Sequence, residues 1–423
     1  MKYEKQVLKN GITVLKVPMR DSESVLVNFF VKTGSRNEER SRRGMSHFLE
    51  HLLFKGTKKY PTAQILSSKV ETIGADYNAA TSKEYTVYYI KAASKHLPLI
   101  FDVLSEMLQQ PLLDKAEIER EKGVIIEEMN MYRDTPMRYL GDILEEHMWS
   151  GSDIGEMIIG DEKTVESTSR EDLTRYIASN YVNENLILAI SGKYDDKKLD
   201  KLIGKYWSDG RNGVKAKFSQ APKPTTRALV KIHEKKTQQA HLGLGFYAFD
   251  YNHPQNYTLA VLANILGGGM SSRLFAEIRE RRGLAYYVRM GAEHFQDTGA
   301  AVITAGLKLD KLEEVLEVIS NELRKIKSQK VPADELKKAK ENLKGRMTLA
   351  LEDSESRLEW YLEQTAFHNK MTTPKEAFAK IDKVTANDIQ KLAKNLFNNK
   401  NFKLAIIGPY KGREKKFERL LNF

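Results

Sequence analysis

Apolar and polar positions along the chain change period in an order that predicts alternating strands and helices. Ile12 to Val17 and Val25 to Lys32 are β-branched and apolar runs separated by polar turn residues, which predicts two strands. Apolar residues at helical spacing mark Thr62 to Ile73, closed by Gly74. The segment Asp76-Tyr77-Asn78-Ala79-Ala80-Thr81 then leads into a β-branched and aromatic strand, Tyr85 to Ile90. Helices are expected at about 96–109, 114–132, 136–149 and 169–181, before a strand at Leu186 to Ile190.

Between residues 208 and 226 this periodicity stops. Gly, Pro, Ser and Lys dominate there, as in a linker. Beyond it the pattern repeats: Asp172-Leu173 through Gly192 recurs without a gap at Asp388-Ile389 through Gly408, an offset of 408 − 192 = 216 residues. The other elements follow in the same order, including amphipathic helices at Leu312 to Ile326 and Ala333 to Leu349. A repeat this long is not a solenoid unit. It predicts an α+β chain of two homologous domains, 1–207 and 227–423, joined by the 208–226 linker. A length of 423 residues with 41% hydrophobic content suits two cores better than one.

Charge and cysteine content narrow the class. The net charge of +11 comes from 68 basic residues interleaved with 57 acidic ones, a solvated surface rather than a nucleic-acid footprint. Neither an apolar leader after Met1 nor a run of about 18 apolar residues is present, so no signal peptide and no membrane span are expected. The absence of cysteine excludes disulfides and thiolate metal sites and fits a cytoplasmic location.

Against this background one stretch carries chemistry. His47-Phe48-Leu49-Glu50-His51 is an H-x-x-E-H sequence. At about 100° per residue, His47, Glu50, His51 and Phe54 share one arc of a helix, while Met45, Phe48, Leu49, Leu52 and Leu53 occupy the other side. Imidazoles at i and i+4 can converge on one zinc ion, and a carboxylate from the same turn can take a proton from metal-bound water. Two histidines need a third ligand. In the helix around 117–129, Ile118, Ile125, Ile126 and Met129 define the packed side; Glu121 and Glu128, seven apart, flank it together, whereas Glu127 points away. Glu128 is therefore expected as the ligand and Glu121 as a residue orienting the metal's ligands. In the second half, the register of this helix reads Ala263-Asn264-Ile265-Leu266-Gly267, so only the first half can hold a metal.

With a glutamate 128 − 51 = 77 positions after the second histidine, the chain resembles the M16 metallopeptidases, the group of pitrilysin, insulin-degrading enzyme and mitochondrial processing peptidase. The resemblance extends over essentially the whole chain. It implies a zinc endopeptidase in which His47, His51 and Glu128 bind the metal, Glu50 is the general base and Glu121 supports the site. It further implies that Asn78, Ala79 and Ala80 belong to an edge strand that pairs with an extended peptide, and that Arg279 and Tyr286 reach substrate from the second half. A chain of this length resembles the members that assemble from two chains. Because it carries both the metal residues and the Arg–Tyr pair, a homodimer is expected, with a heterodimer alongside a metal-less paralogue as the other arrangement. A catalytically silent peptide-binding subunit is the alternative function.

Overall fold

The computed structural model describes residues 3–226 and 229–423, so the expected domain limits at residues 1 and 227 fall outside the described residues. Six strands form the first sheet: β1 (Glu4–Val7), β2 (Thr13–Pro18), β3 (Ser24–Val31), β4 (Asp76–Thr81), β5 (Thr86–Ala93) and β6 (Leu186–Gly192). They lie in the order β1-β2-β6-β3-β5-β4, so β4 is an edge. All neighbours are antiparallel except the parallel pair β2 and β6. The central strands β3 and β6 are almost continuously apolar, and both are buried along nearly their whole length. Helices Leu97–Gln109 and Asp196–Trp207 cover this sheet, with the Trp207 ring 4.7 Å from Phe29 of β3.

The second sheet repeats the plan with β7 (Val230–Glu234), β8 (Ala240–Tyr247), β9 (Ala285–His294), β10 (Gly299–Leu307) and β11 (Phe402–Gly408) in the order β7-β11-β8-β10-β9. Again one pair is parallel, β11 with β7. The repeat read in the sequence is a structural one. Helix Arg170–Asn180 with β6 and helix Ala386–Leu396 with β11 share the 216-residue offset, 386 − 170 and 402 − 186. Each of these helices opens on a capping box, Ser169 with Asp172 and Thr385 with Asp388. The architecture is α+β, as expected.

The compact units do not follow the expected segments 1–207 and 227–423. The first unit takes residues up to Met131, Glu156–Ser219 and Ala350–Ala366; the second takes Tyr132–Gly155, Gln220–Leu349 and the chain from Phe367 onward. The reason lies in helix Pro136–Met148, whose apolar side of Leu140, Ile143, Leu144 and Met148 packs against β8 and β11. On β8, Leu242, Leu244 and Phe246 fill one face, and Gly243 and Gly245 open the other to that helix. A Cβ on Gly245 would come 2.4 Å from Met148 Sδ and one on Gly243 3.3 Å from a Leu144 methyl carbon. In exchange, helix Ser354–Phe367 lies mainly in the first unit, where Asp353 pairs with Lys91 of β5 at 2.8 Å and Tyr361 packs on Tyr3. The 208–226 segment carries neither strand nor helix, and begins at Ser208, the residue that caps helix Asp196–Trp207. Among the described residues no helix is long and apolar enough to cross a membrane.

Candidate metal centre

The H-x-x-E-H residues lie on helix Met45–Leu52. Met45, Phe48, Leu49, Leu52 and Leu53 are buried as the helical wheel predicts, but Phe54 lies past the helix end and rests 6.1 Å from the Tyr77 ring instead of extending the metal face. The helix starts at Gly44, whose φ of +88° and whose approach to the Ile159 carbonyl exclude a side chain; an added Cβ would sit 2.6 Å from that oxygen. Its first N–H groups are taken by buried Glu38: Gly44 N–H donates to Oε2 at 2.7 Å and Ser46 N–H to Oε1 at 2.6 Å. Ser46 is tied further by a 2.6 Å hydrogen bond to the Tyr176 hydroxyl.

Helix Lys115–Asp134 brings the carboxylates. Glu128 Oε2 lies 3.6 Å from His47 Nε2 and 3.3 Å from His51 Nε2. These three residues form the one group of His, Asp or Glu side chains with metal-ligand spacing among the described residues. Glu121, 2% exposed, accepts from His51 Nδ1 at 2.9 Å, which leaves Nε2 turned toward Glu128. Lys55 Nζ forms an ion pair with the other Glu121 oxygen at 2.7 Å, a contact that wheel reasoning misses because Lys55 lies beyond the helix. Glu50 is held from a different element: Thr81 Oγ1, at the end of β4, donates to its Oε2 at 2.6 Å.

The electrostatics follow from burial and these contacts. Burial, and then the neighbouring His51, push His47 down to about 4. Burial also acts to lower His51, but its hydrogen bonds to Glu121 and Glu128 outweigh that and hold it at about 9. Glu121 is held low by His51 and Lys55 in spite of its burial. Burial raises Glu50, with Thr81 opposing. Three carboxylates, Glu50, Glu121 and Glu128, thus face Lys55 and two histidines. A divalent ion among them would offset this surplus of carboxylate. The ligand spacings also suit a tetrahedral ion with bonds of about 2.0–2.1 Å, so the residues fit zinc.

Comparison with known proteins identifies the family. The family model described as insulinase (peptidase family M16) matches residues 14–162, and that described as peptidase M16 inactive domain matches residues 167–343. The uncharacterized zinc protease YmxG of Bacillus subtilis is 34% identical over 95% of this chain and 97% of its own length. The chain belongs to peptidase family M16. An uncharacterized zinc protease of Streptomyces coelicolor is 30% identical over 96% of this M16 chain and 90% of its own. Among solved structures, a protease from Helicobacter pylori has a TM-score of 0.89 at 24% identity, covering 96% of this chain and 99% of that one. A chain of complex III2 from Candida albicans has a TM-score of 0.86 at 18% identity over 99% and 100% of the two chains. Identities at this level speak for the shared fold alone.

The remaining sequence-derived residues belong to other elements. Asn78, Ala79 and Ala80 are on edge strand β4, where the Asn78 Oδ1 accepts from the Ala79 N–H at 2.9 Å. Arg279 and Tyr286 belong to the second unit of the M16 chain. Both are exposed, Arg279 with its guanidinium 5.0 Å from the Phe275 ring and Tyr286 at the start of β9. In the second unit the position matching His51 is Gly267, against which β9 packs so closely that a Cβ would lie 2.2 Å from Met290 N. Close packing there takes the space a ligand would need.

Proposed function

We propose that this chain is a zinc-dependent endopeptidase that hydrolyses peptides or unstructured polypeptide segments. The observation that carries the reading is the convergence of His47 Nε2 and His51 Nε2 on one oxygen of Glu128. His47, His51 and Glu128 would hold the ion, which when bound supplies an acidified water and polarises the scissile carbonyl. Glu121 fixes the His51 ring through Nδ1, and Lys55 keeps Glu121 ionised. Glu50, on the same helix, accepts the proton, with Oε2 held by the Thr81 hydroxyl. Edge strand β4 offers main-chain groups to an extended substrate, which supports β-augmentation as the docking mode and gives Asn78, Ala79 and Ala80 their role.

The exposure of Arg279 and Tyr286 leaves both side chains available to a peptide, in keeping with substrate contacts from the second unit. Because one chain carries the complete metal group as well as this pair, we read it as an active subunit of a homodimer rather than a silent partner.

The test is turnover of a quenched peptide library by metal-quantified wild type beside Glu50→Gln. The expected result is about one zinc in each protein, with cleavage reduced roughly 10²- to 10⁴-fold in the variant. Zinc without cleavage by the wild type would favour the silent-subunit alternative, and absence of zinc binding would overturn the reading.

A further inference from the structure

Glu50 is held by an element remote in sequence. Along β4 the side chains alternate: Tyr77, Ala79 and Thr81 turn toward the site helix, while Asp76, Asn78 and Ala80 are exposed. Thr81, the last residue of the strand, donates the side-chain hydrogen bond that Glu50 receives, across 31 residues of sequence. A half-buried carboxylate with several rotamers needs such a partner to keep one oxygen in place.

The hairpin that carries Thr81 is itself anchored. Thr81 pairs with Thr86 across a turn closed by Ser82 N–H donating to the Tyr85 carbonyl at 2.8 Å. A hairpin tip is ordinarily exposed and mobile, yet Lys83 and Glu84 at this tip are each only 3% exposed. Glu84 forms a buried ion pair with Arg36 at 2.7 Å, and Lys83 Nζ donates to the Glu156 carbonyl at 2.6 Å. The Thr86 hydroxyl donates to the Thr33 carbonyl at 2.9 Å. Buried charges at a turn are costly unless paired, and here their pairing pins the turn to the body of the first unit.

We infer that Thr81 is the positioning residue for the general base, holding Glu50 Oε2 from the end of the peptide-docking strand and so fixing the orientation of the carboxylate. The pinned Ser82–Tyr85 turn is the frame that keeps the Thr81 hydroxyl in place. This rests on the reading of Glu50 as base and of β4 as the docking edge. It assigns the hydroxyl a part in kcat rather than in substrate affinity, because the hydroxyl bonds the base beside the Thr81 backbone N–H, which a side-chain substitution retains, and leaves Asn78 and Ala80 untouched.

The test is steady-state kinetics of zinc-loaded Thr81→Val and Thr81→Ser on a peptide that the wild type cleaves. Valine keeps the branched shape that suits a strand and removes only the hydroxyl. The expected result for Thr81→Val is a kcat lower by about 10- to 100-fold, KM within about twofold and unchanged zinc content, with Thr81→Ser recovering most of the loss. Wild-type kcat in Thr81→Val, an equal loss in both variants, a change confined to KM, or loss of zinc would each overturn the inference. Should Thr81→Val fail to fold, Thr81→Ala against Thr81→Ser carries the same comparison. Glu50→Gln run in parallel separates the two readings: full activity in Glu50→Gln removes the base itself, whereas an inactive Glu50→Gln beside a fully active Thr81→Val removes Thr81 alone.

Discussion

Glu38 occupies the place that a Ser, Thr or Asp side chain takes at most helix starts, but it reaches there from six residues before Gly44 and with both oxygens engaged. Burial pushes its carboxyl up to about 7, against the backbone N–H groups of Ser46, Gly44 and Met45 that favour the charged form. The sign of the linkage follows. Between the ordinary value of 4.5 and about 7 the folded chain keeps a proton that the unfolded chain has released, so stability falls as pH rises through that window. Relative to Glu38→Gln, the wild type should lose up to roughly 3 kcal/mol between pH 5 and 8. Urea unfolding of both zinc-saturated proteins at those two pH values measures it, and identical pH dependence would clear Glu38 as the source. Nothing in Glu38-Glu39-Arg40 marks the first glutamate as buried, because a run of charges carries no period and its partners are set by the tertiary fold. His47, His51 and Glu128 were legible for the opposite reason: each lies on a helix whose apolar stripe fixes which way its polar side points. Thr81 and Lys55 lack such a reference, and their contacts with Glu50 and Glu121 emerge only when separate elements meet.

Among the elements, β4 has the most direct link to function. The Ala79 N–H is taken by the Asn78 side chain rather than by β5, which places it on the open edge of the sheet. Alternation along an antiparallel strand then puts the main-chain groups of Tyr77 and Thr81 on that edge too, and those of Asp76, Asn78 and Ala80 in the ladder with β5. A peptide added here should bond at every second residue. N-methylation of substrate at alternate positions is expected to raise KM about three- to tenfold, while methylation at the intervening positions leaves it unchanged. Sensitivity at consecutive positions, or at none, would exclude the edge-strand mode. Most helices and the buried strands match their periodic signals to within a few residues, Pro136–Met148 and Arg170–Asn180 among them. In contrast, Asp-Tyr-Asn-Ala-Ala-Thr has no continuous apolar face, since an edge strand is half solvated, and its pairing with β5 is not written in its own periodicity.

For the whole chain, the exchange of helices has a consequence that the linker alone would not suggest. A protein of two domains divided at 208–226 should be separable there into two independent folding units. Here each unit is completed by a segment from the other side of the linker: Ala350–Ala366 in the first, Tyr132–Gly155 in the second. A fragment of residues 1–219 would lack Tyr361 and Leu362, both buried, and would leave Leu140, Ile143, Leu144 and Met148 without β8 and β11 to cover them. Four apolar side chains returned to water cost roughly 6–12 kcal/mol, comparable to the entire stability of a domain. The 1–219 fragment alone is therefore expected to lack a cooperative unfolding transition and stoichiometric zinc binding, although it contains His47, His51 and Glu128. Co-expression with residues 220–423 as a separate chain should restore both, because the segments can then be exchanged without the covalent linker. A cooperative, zinc-binding 1–219 fragment, by calorimetry and metal analysis, would mean that the metal group is organised by local helix packing alone and that the exchanged helices serve some end other than stability.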